Sequence, residues 1–350
     1  MCQDRVATAD QPAVLLVPGT TLTPAEFEWN YQPALTQAGI PWCTVEPPGR
    51  MMLDIQDSAE YVVHAIREVR RRSGHRVDVV GHSQGGMIGR WALKWWPDTR
   101  RKVDDLIGLA PSNHGSAVAD GVCAARTCAA AIWQQGRGSA FMRALNADAE
   151  TFAGVSYTSV YSDLDEVVVP NGPPTPSSAL RTGDGARSNV RLQDVCPLST
   201  AEHLTTGTSD PVAWAAARDA LDHPGPADVQ RIDRAVCARA FMPGVDPTTV
   251  LGDLAELGAG VLQGLSGGPQ LPAEPSLRCY VTRTCTGSVA SPRCVVPKLR
   301  GKTRRQARRA IVRAGCSVGR VRGRGGKVVR QRPRAGKTRT SGTRVKIRLK

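Results

Sequence analysis

The sequence predicts an α/β fold on a mostly parallel sheet, with a small α+β domain appended at its C-terminal end. Three observations point there. Short, wholly apolar runs alternate with stretches of helical periodicity along most of the chain, the pattern of parallel strands covered on both faces. One such run and one such helix flank a serine set between glycines, Gly81-His82-Ser83-Gln84-Gly85. The charge, finally, is divided. Within a net +15, Val295 to Lys350 hold 21 Lys and Arg and no Asp or Glu, leaving 25 basic against 31 acidic residues in the rest. Such asymmetry marks two modules with different partners, the basic one suited to a polyanion. At 350 residues the chain suffices for one large core and something smaller.

Taken in order, Ala13 to Val17 reads as a buried strand followed by the turn Pro18-Gly19-Thr20, and Ile40 to Glu46 as a second strand ended by Pro47-Pro48-Gly49. Between Ser58 and Arg72 the apolar positions Tyr61, Val62, Ala65, Ile66 and Val69 recur at helical spacing, with Arg67, Arg70 and Arg71 facing out and Gly74 as the stop. Val77 to Val80 is the next strand. After the Ser83 turn, Met87, Ile88, Trp91, Ala92 and Trp95 describe a helix stopped by Pro97; Leu106 to Ala110 and Val155 to Tyr161 add strands. Between these last two lies an Ala-rich insertion, Ala117 to Ala149, expected over the carboxyl edge of the sheet. Pro and Gly thicken at Asn171 to Pro176, His223 to Pro226 and Gly264 to Pro275; the third begins the run-out of the large domain. The featureless Ser288 to Pro292 sets the expected domains at 1–287 and 295–350, joined by a linker over 288–294.

No apolar run approaches the roughly 18 residues that span a bilayer. Met1 to Gln11 are polar and lack the apolar core of a leader. Ten cysteines, an even number spread along the chain, nevertheless argue for disulfides and an oxidising compartment. The expectation is a secreted or cell-wall-associated protein whose leader was removed or begins upstream, acting as a monomer.

A strand before Gly81-His82-Ser83-Gln84-Gly85 and a helix after it form the arrangement that holds a serine on a strained turn, its hydroxyl at the sheet's edge. Gly81 and Gly85 leave room where a Cβ would collide. Ser83 is therefore the expected nucleophile, and it needs a base. In this arrangement the acid follows the nucleophile and the histidine comes last, which excludes His64, His75 and His82. His114 precedes every candidate acid. His223 closes the helix Pro211 to Leu221, where a histidine satisfies terminal carbonyls. His203, in the loop before that helix, is the expected base. Asp163, Asp165 and Glu166 follow the strand ending at Tyr161; either aspartate could orient the imidazole, and spacing does not choose between them. For the oxyanion, the N–H of Gln84 is one donor and the loop Gly19-Thr20-Thr21 supplies another, with the Thr20 hydroxyl as a candidate third. The chemistry calls for no metal and no cofactor.

Leu15-Leu16-Val17-Pro18-Gly19-Thr20, Ser83-Gln84-Gly85-Gly86, Trp133-Gln134-Gln135 and Tyr161-Ser162 with Asp165-Glu166 occur in that order. On these motifs the chain resembles the family of the fungal lipase B and its bacterial relatives, over nearly the whole large domain. The resemblance implies an α/β-hydrolase fold, Ser83, Asp165 and His203 as catalytic triad, and Thr20 with Gln84 as oxyanion hole. It also implies the disulfides Cys2 with Cys43 and Cys196 with Cys237. Cys123 and Cys128 lie close enough to pair locally, and Cys279 is matched with Cys285, where the family's spacing is longer. Two departures stand out: the fungal member has a glycine where this chain has Thr21, and a tryptophan where it has His82.

In the tail, Val296-Pro297-Lys298-Leu299-Arg300-Gly301-Lys302-Thr303 and Gln331-Arg332-Pro333-Arg334-Ala335-Gly336 resemble a single PASTA domain, a module of bacterial cell-wall enzymes and kinases. Thr303 with Gln306 forms a capping box, Ala307, Ala310, Ile311 and Ala314 an apolar stripe, and Gly315 the stop. Cys294 and Cys316 bracket this helix and can staple its small core. The resemblance implies peptidoglycan as partner; the charge alone would equally hold teichoic acid, anionic lipid or, without specificity, nucleic acid. No aromatic residue interleaves the basic ones, which argues against base stacking and so against specific nucleic-acid binding.

The expected activity is hydrolysis of carboxylic esters, of fatty acids or other lipids, through an acyl-enzyme. The alternatives are acyl transfer to a cell-wall or lipid alcohol by the same triad, or an inactive wall-binding protein, whose signature would be a missing triad residue.

Overall fold

The computed structural model describes all residues except 125, 126, 268, 283–292, 315, 324, 341 and 342. The chain divides into two compact units, Met1–Val281 and Thr282–Lys350. The expected linker falls largely among residues outside that description.

In the first unit, β1 (Ala13–Val17), β2 (Trp42–Thr44), β3 (Val77–His82), β4 (Val103–Leu109), β5 (Ser156–Tyr161) and β6 (Ala186–Arg191) form one sheet in the order β2-β1-β3-β4-β5-β6, with every pairing parallel. Its period-2 alternation feeds two cores. Leu15, Val17 and Val79 face a cluster with Ile66, Trp91 and Phe141, while Val14, Leu16 and Val80 face another with Tyr31, Ile107 and Trp214.

Helix α1 (Ile55–Ser73) starts where the Asp54 side chain accepts from the Gln56 N–H and stops at Gly74, whose φ of 75° suits glycine. Its buried stripe, Ile55, Ala59, Val62, Ile66 and Val69, is apolar at helical spacing. Helix α2 (Gln84–Trp95) is buried from Gln84 to Leu93 and carries even Arg90 inside, its guanidinium spent on Glu150 O, Asn113 and Asn146 Oδ1. The insertion contributes α3 (Ala117–Cys123) and short helices at Ala130–Gln134 and Ala140–Asn146. Beyond β6 come α4 (His203–Thr208), α5 (Pro211–Asp222) and α6 (Val250–Gly267).

Two elements have no counterpart among the expected ones. Strand β6 has the sequence ARSNVR and is buried only at Val190, so it carries no apolar run to announce it. Helix α6 contains Gly252, Gly258, Gly260 and Gly264, which weaken helical propensity, and its last turn runs into Gly264 to Pro275, expected as the run-out of the large domain.

At the amino edge of the sheet, Asp78, Asp104 and Asp105 bring carboxylate oxygens within 4.8 Å of one another. Burial, reinforced by the neighbouring carboxylates, pushes Asp78 up to about 8 and Asp105 up to about 9. Arg76 reaches Asp104 at 3.3 Å.

The pairs Cys2–Cys43, Cys123–Cys128, Cys196–Cys237 and Cys294–Cys316 are formed. Cys279 opens a short helical turn; its expected partner Cys285 lies outside the described residues. In the second unit α7 (Arg304–Arg313) begins at the capping box of Thr303 and Gln306. It packs on a three-stranded sheet of β7 (Ser317–Arg322), β8 (Val328–Arg332) and β9 (Arg344–Leu349), ordered β7-β9-β8, around Val296, Leu299, Ala307, Ile311, Val345, Ile347 and Leu349.

Candidate active site

Ser83 stands between β3 and α2 with φ 55° and ψ −122°, a left-handed backbone that costs a residue with a Cβ on the order of 1–3 kcal/mol. The turn survives because its surroundings are fixed. A Cβ on Gly81 would lie 2.2 Å from Gly85 O, and one on Gly85 would lie 2.2 Å from Val17 O, so both glycines are required by close backbone approach. The Ser83 N–H donates to Leu109 O at 2.8 Å, tying the turn to the end of β4.

His203 precedes α5 as expected, but not in a loop: it is the first residue of the short helix α4, which Glu202 caps by exchanging bonds with Thr205. Its Nδ1 lies 2.9 Å from both oxygens of Asp165. Asp165 Oδ1 also accepts the N–H groups of Val167 (3.0 Å) and Val168 (2.7 Å), and Oδ2 the amide of Asn171 (3.2 Å). These donors satisfy the buried carboxylate and fix its position. Glu166 accepts the His203 backbone N–H at 3.2 Å. Asp163, the other aspartate left open by spacing, is bound by the Arg191 guanidinium instead.

The remaining histidines downstream of Ser83 are engaged elsewhere. His114 bridges Ser177 O (2.8 Å) and Glu150 Oε1 (3.0 Å), and His223 caps α5 through Asp219 O (3.0 Å).

Thr20 Oγ1 accepts two side-chain amides, Gln84 Nε2 at 3.2 Å and Gln135 Nε2 at 3.0 Å. With its lone pairs taken up in this way, the hydroxyl's own proton is free to point elsewhere. Gln84 Nε2 also donates to Met51 O at 3.0 Å, fixing the residue whose N–H is the expected second donor.

The family profile described as Lipase (class 2) matches residues 55–203, and that of the PASTA domain matches residues 295–350. Lipase B of Pseudozyma antarctica is 34% identical over 302 residues, covering 82% of this chain and 86% of that protein. The chain belongs to the lipase B family. The crystal structure of Aspergillus fumigatus lipase B superposes with a TM-score of 0.73 at 32% identity, over 79% of this chain and 68% of that one. By this membership the lipase B relative described here is an α/β-hydrolase and a carboxylic ester hydrolase, with a PASTA domain at its C-terminal end.

Within this lipase B fold, sequence reasoning missed Glu26. Its buried carboxylate sits under the site, Oε1 bound to His82 Nδ1 by a short hydrogen bond and Oε2 accepting the Gly19 N–H at 3.0 Å. The far nitrogen of His82, Nε2, lies 3.2 Å from His203 O, and the two imidazoles pack at 4.9 Å between centroids. Gly207 makes space for the ring, since a Cβ there would meet His82 Cδ2 at 2.2 Å. Burial alone would pull the His82 pKa down; the Glu26 carboxylate, the His203 carbonyl and Asp165 outweigh it and raise it. One carboxylate thus links the loop of Thr20, the residue before Ser83 and the backbone of His203. No local pattern signals a pair 56 residues apart. Thr21, where the fungal member has glycine, keeps a glycine-like φ of 70°.

Proposed function

We propose that the chain hydrolyses carboxylic esters of apolar acids through an acyl-enzyme on Ser83. His203 Nε2 accepts the Ser83 Oγ proton as Oγ bonds to the carbonyl carbon. The N–H groups of Thr20 and Gln84 and the Thr20 hydroxyl hold the oxyanion. The imidazolium, steadied by Asp165, gives its proton to the leaving alkoxide as the C–O bond breaks. Water then delivers a proton to His203 and its oxygen to the acyl carbon; the acid departs and Ser83 recovers its proton.

The observation that carries this reading is the Asp165–His203 pair packed beside the strained Ser83 turn. Two apolar elements support a lipid substrate. Helix α6 seats Gly264 against Thr21 and accepts Arg50 at Gly260 O (3.0 Å), while Arg50 Nε also holds Thr21 O at 2.7 Å. Along it Leu251, Leu262 and Leu265 are exposed, as are Val118 and Val122 on α3. The disulfides and the PASTA domain support a secreted protein that residues 295–350 hold to a wall polymer.

Ser83→Ala tests the reading: loss of p-nitrophenyl ester hydrolysis is expected, and retained activity would overturn it. His203→Ala should abolish turnover while His223→Ala leaves it near wild type. A chain series from acetyl to stearoyl esters should peak at medium or long acyl groups; an acetyl optimum would make the substrate a small ester.

A further inference from the structure

The sheet of the second unit has two unlike faces. Val345, Ile347 and Leu349 of β9 are buried, while Arg344, Lys346 and Arg348 alternate with them and are exposed. The neighbouring strands repeat the pattern, with Arg320 and Arg322 exposed on β7 and Arg330 and Arg332 on β8.

The register brings these cations together. Arg322 pairs with Arg348 across the parallel ladder, and Arg330 pairs with Arg348 across the antiparallel one, so three guanidinium stems cross the sheet in one row. Arg332 opposite Lys346 makes a second row. Between Val318 and Val321 the ladder shifts register, and Gly319 lies where a Cβ would crowd Lys346 Cγ at 3.2 Å. Strands lie about 4.8 Å apart and same-face residues about 6.6 Å apart along a strand, so the rows form a flat grid.

Like charges directly opposite one another destabilise a sheet. Here nothing in the unit offsets them: Thr282 to Lys350 contain no Asp or Glu. The grid therefore awaits anions from outside. Six of its seven cations are arginines, whose planar forks bind phosphate through two parallel hydrogen bonds. The same stretch, from Val295 onward, has no Phe, Tyr or Trp, so it offers no platform for a base or a sugar ring and no aromatic wedge for a bilayer.

We infer that the outer face of β7-β9-β8 binds a linear polymer of repeated phosphates, reading charge and spacing rather than a sugar or a base. This narrows the reading in which residues 295–350 hold a wall polymer, and rests on it.

The test uses the full chain and long-chain inorganic polyphosphate as probe, followed by calorimetry across a salt series, with phosphatidylglycerol vesicles and sedimented peptidoglycan in parallel. Arg330→Gln/Arg348→Gln removes two cations from the grid; Arg304→Gln/Arg308→Gln removes two exposed cations from α7. The first should weaken polyphosphate binding about tenfold or more and flatten the slope of log Kd against log salt by roughly one to two. The second should weaken it by less than about threefold. Arg330→Lys/Arg348→Lys, which keeps charge and fold, should fall between wild type and the Gln variant. Equal losses from sheet and helix would reduce the effect to net charge and overturn the inference, as would vesicle binding without polyphosphate binding. Peptidoglycan binding without polyphosphate binding would overturn it while leaving wall anchoring standing; binding to neither would overturn both.

Discussion

The two units use charge in opposite ways. Around the candidate active site the charged groups are buried and matched: Asp165 with His203, Glu26 with His82, Arg90 among three acceptor residues. On the outer sheet face of the second unit they are exposed and set beside their own kind. A buried, hydrogen-bonded pair fixes geometry, because moving either member strands a charge in low dielectric. Exposed cations fix nothing; they reach an external partner, and salt screens them. The contrast predicts that variants at the first kind of site change turnover or stability independently of salt. Variants at the second change binding, and do so most at low salt.

The largest effect should come from Asp165→Asn. Asparagine fits the same space but stabilises neither the working tautomer of His203 nor its imidazolium, so kcat should fall by about 10³–10⁴-fold. Measuring kcat for a soluble ester at low and high salt checks this: the loss should be the same in both. Salt-dependent recovery would break the contrast at its strongest point.

Next is Glu26→Gln, which can keep a bond to Gly19 N–H but removes the anion facing His82. Loss of that constraint should cut kcat by about tenfold or more with KM little changed, because sub-ångström placement of the Thr20 loop and His203 is what alters. Breaking a buried pair costs about 3–5 kcal/mol, and the melting temperature should drop accordingly. The His82 pKa is raised in the fold, so the pair's stabilisation is complete below the unfolded histidine value near about 6.5 and fades as pH rises through the folded one. The stability gap between wild type and variant should therefore narrow in alkali. A change in KM alone, or a gap widening with pH, would show that Glu26 does not act through His82.

This variant also marks the limit of the sequence. Ser83 was legible because its requirements are local: a strand, a helix and two glycines whose absent Cβ atoms are explained by contacts within the turn and with β1. His203 followed from chain order, although the segment before α5 that carries it is a short helix set by the Glu202 cap rather than the expected loop. Asp163 and Asp165 are alike by spacing, and resemblance chose Asp165; the geometry parts them, since Arg191 binds one and the amides of Val167 and Val168 bind the other. Glu26 was illegible because the partner that matters, His82, lies 56 residues away, and His203 is reached only through that ring. Helix α6 was illegible for the opposite reason, its local composition contradicting its packing.

A smaller effect is expected at the amino edge of the first unit's sheet, where Asp105 is buried beside other carboxyl groups with one oxygen lacking a hydrogen-bond partner among the described residues. Asp105 has a folded pKa of about 9 against about 3.9 for an unfolded aspartate, so between these values the unfolded chain gives up a proton that the folded one retains. Stability therefore falls as pH rises across that window. Asp105→Asn removes the dependence. Its melting temperature should exceed wild type by a few degrees near about pH 8 and approach it near about pH 4. A destabilised variant at both pH values would mean that the carboxylate is matched after all.

The smallest effect tests the exposed side of the contrast. In Arg348→Gln the residue facing both Arg322 and Arg330 becomes neutral, removing two like-charge neighbours at once. Cross-strand pairs are worth roughly 0.2–1 kcal/mol, and like charges act against the sheet, so the second unit should be unchanged or slightly more stable. Amide hydrogen exchange across β9 reads this locally, without relying on a transition dominated by the larger unit: protection at Val345 and Ile347 should hold or rise at low salt, and the difference from wild type should vanish at high salt. Lost protection would mean that Arg348 is a structural residue of the sheet. Gained protection together with weaker polyphosphate binding would mean that the row is kept against the fold's own interest, for the partner it reaches.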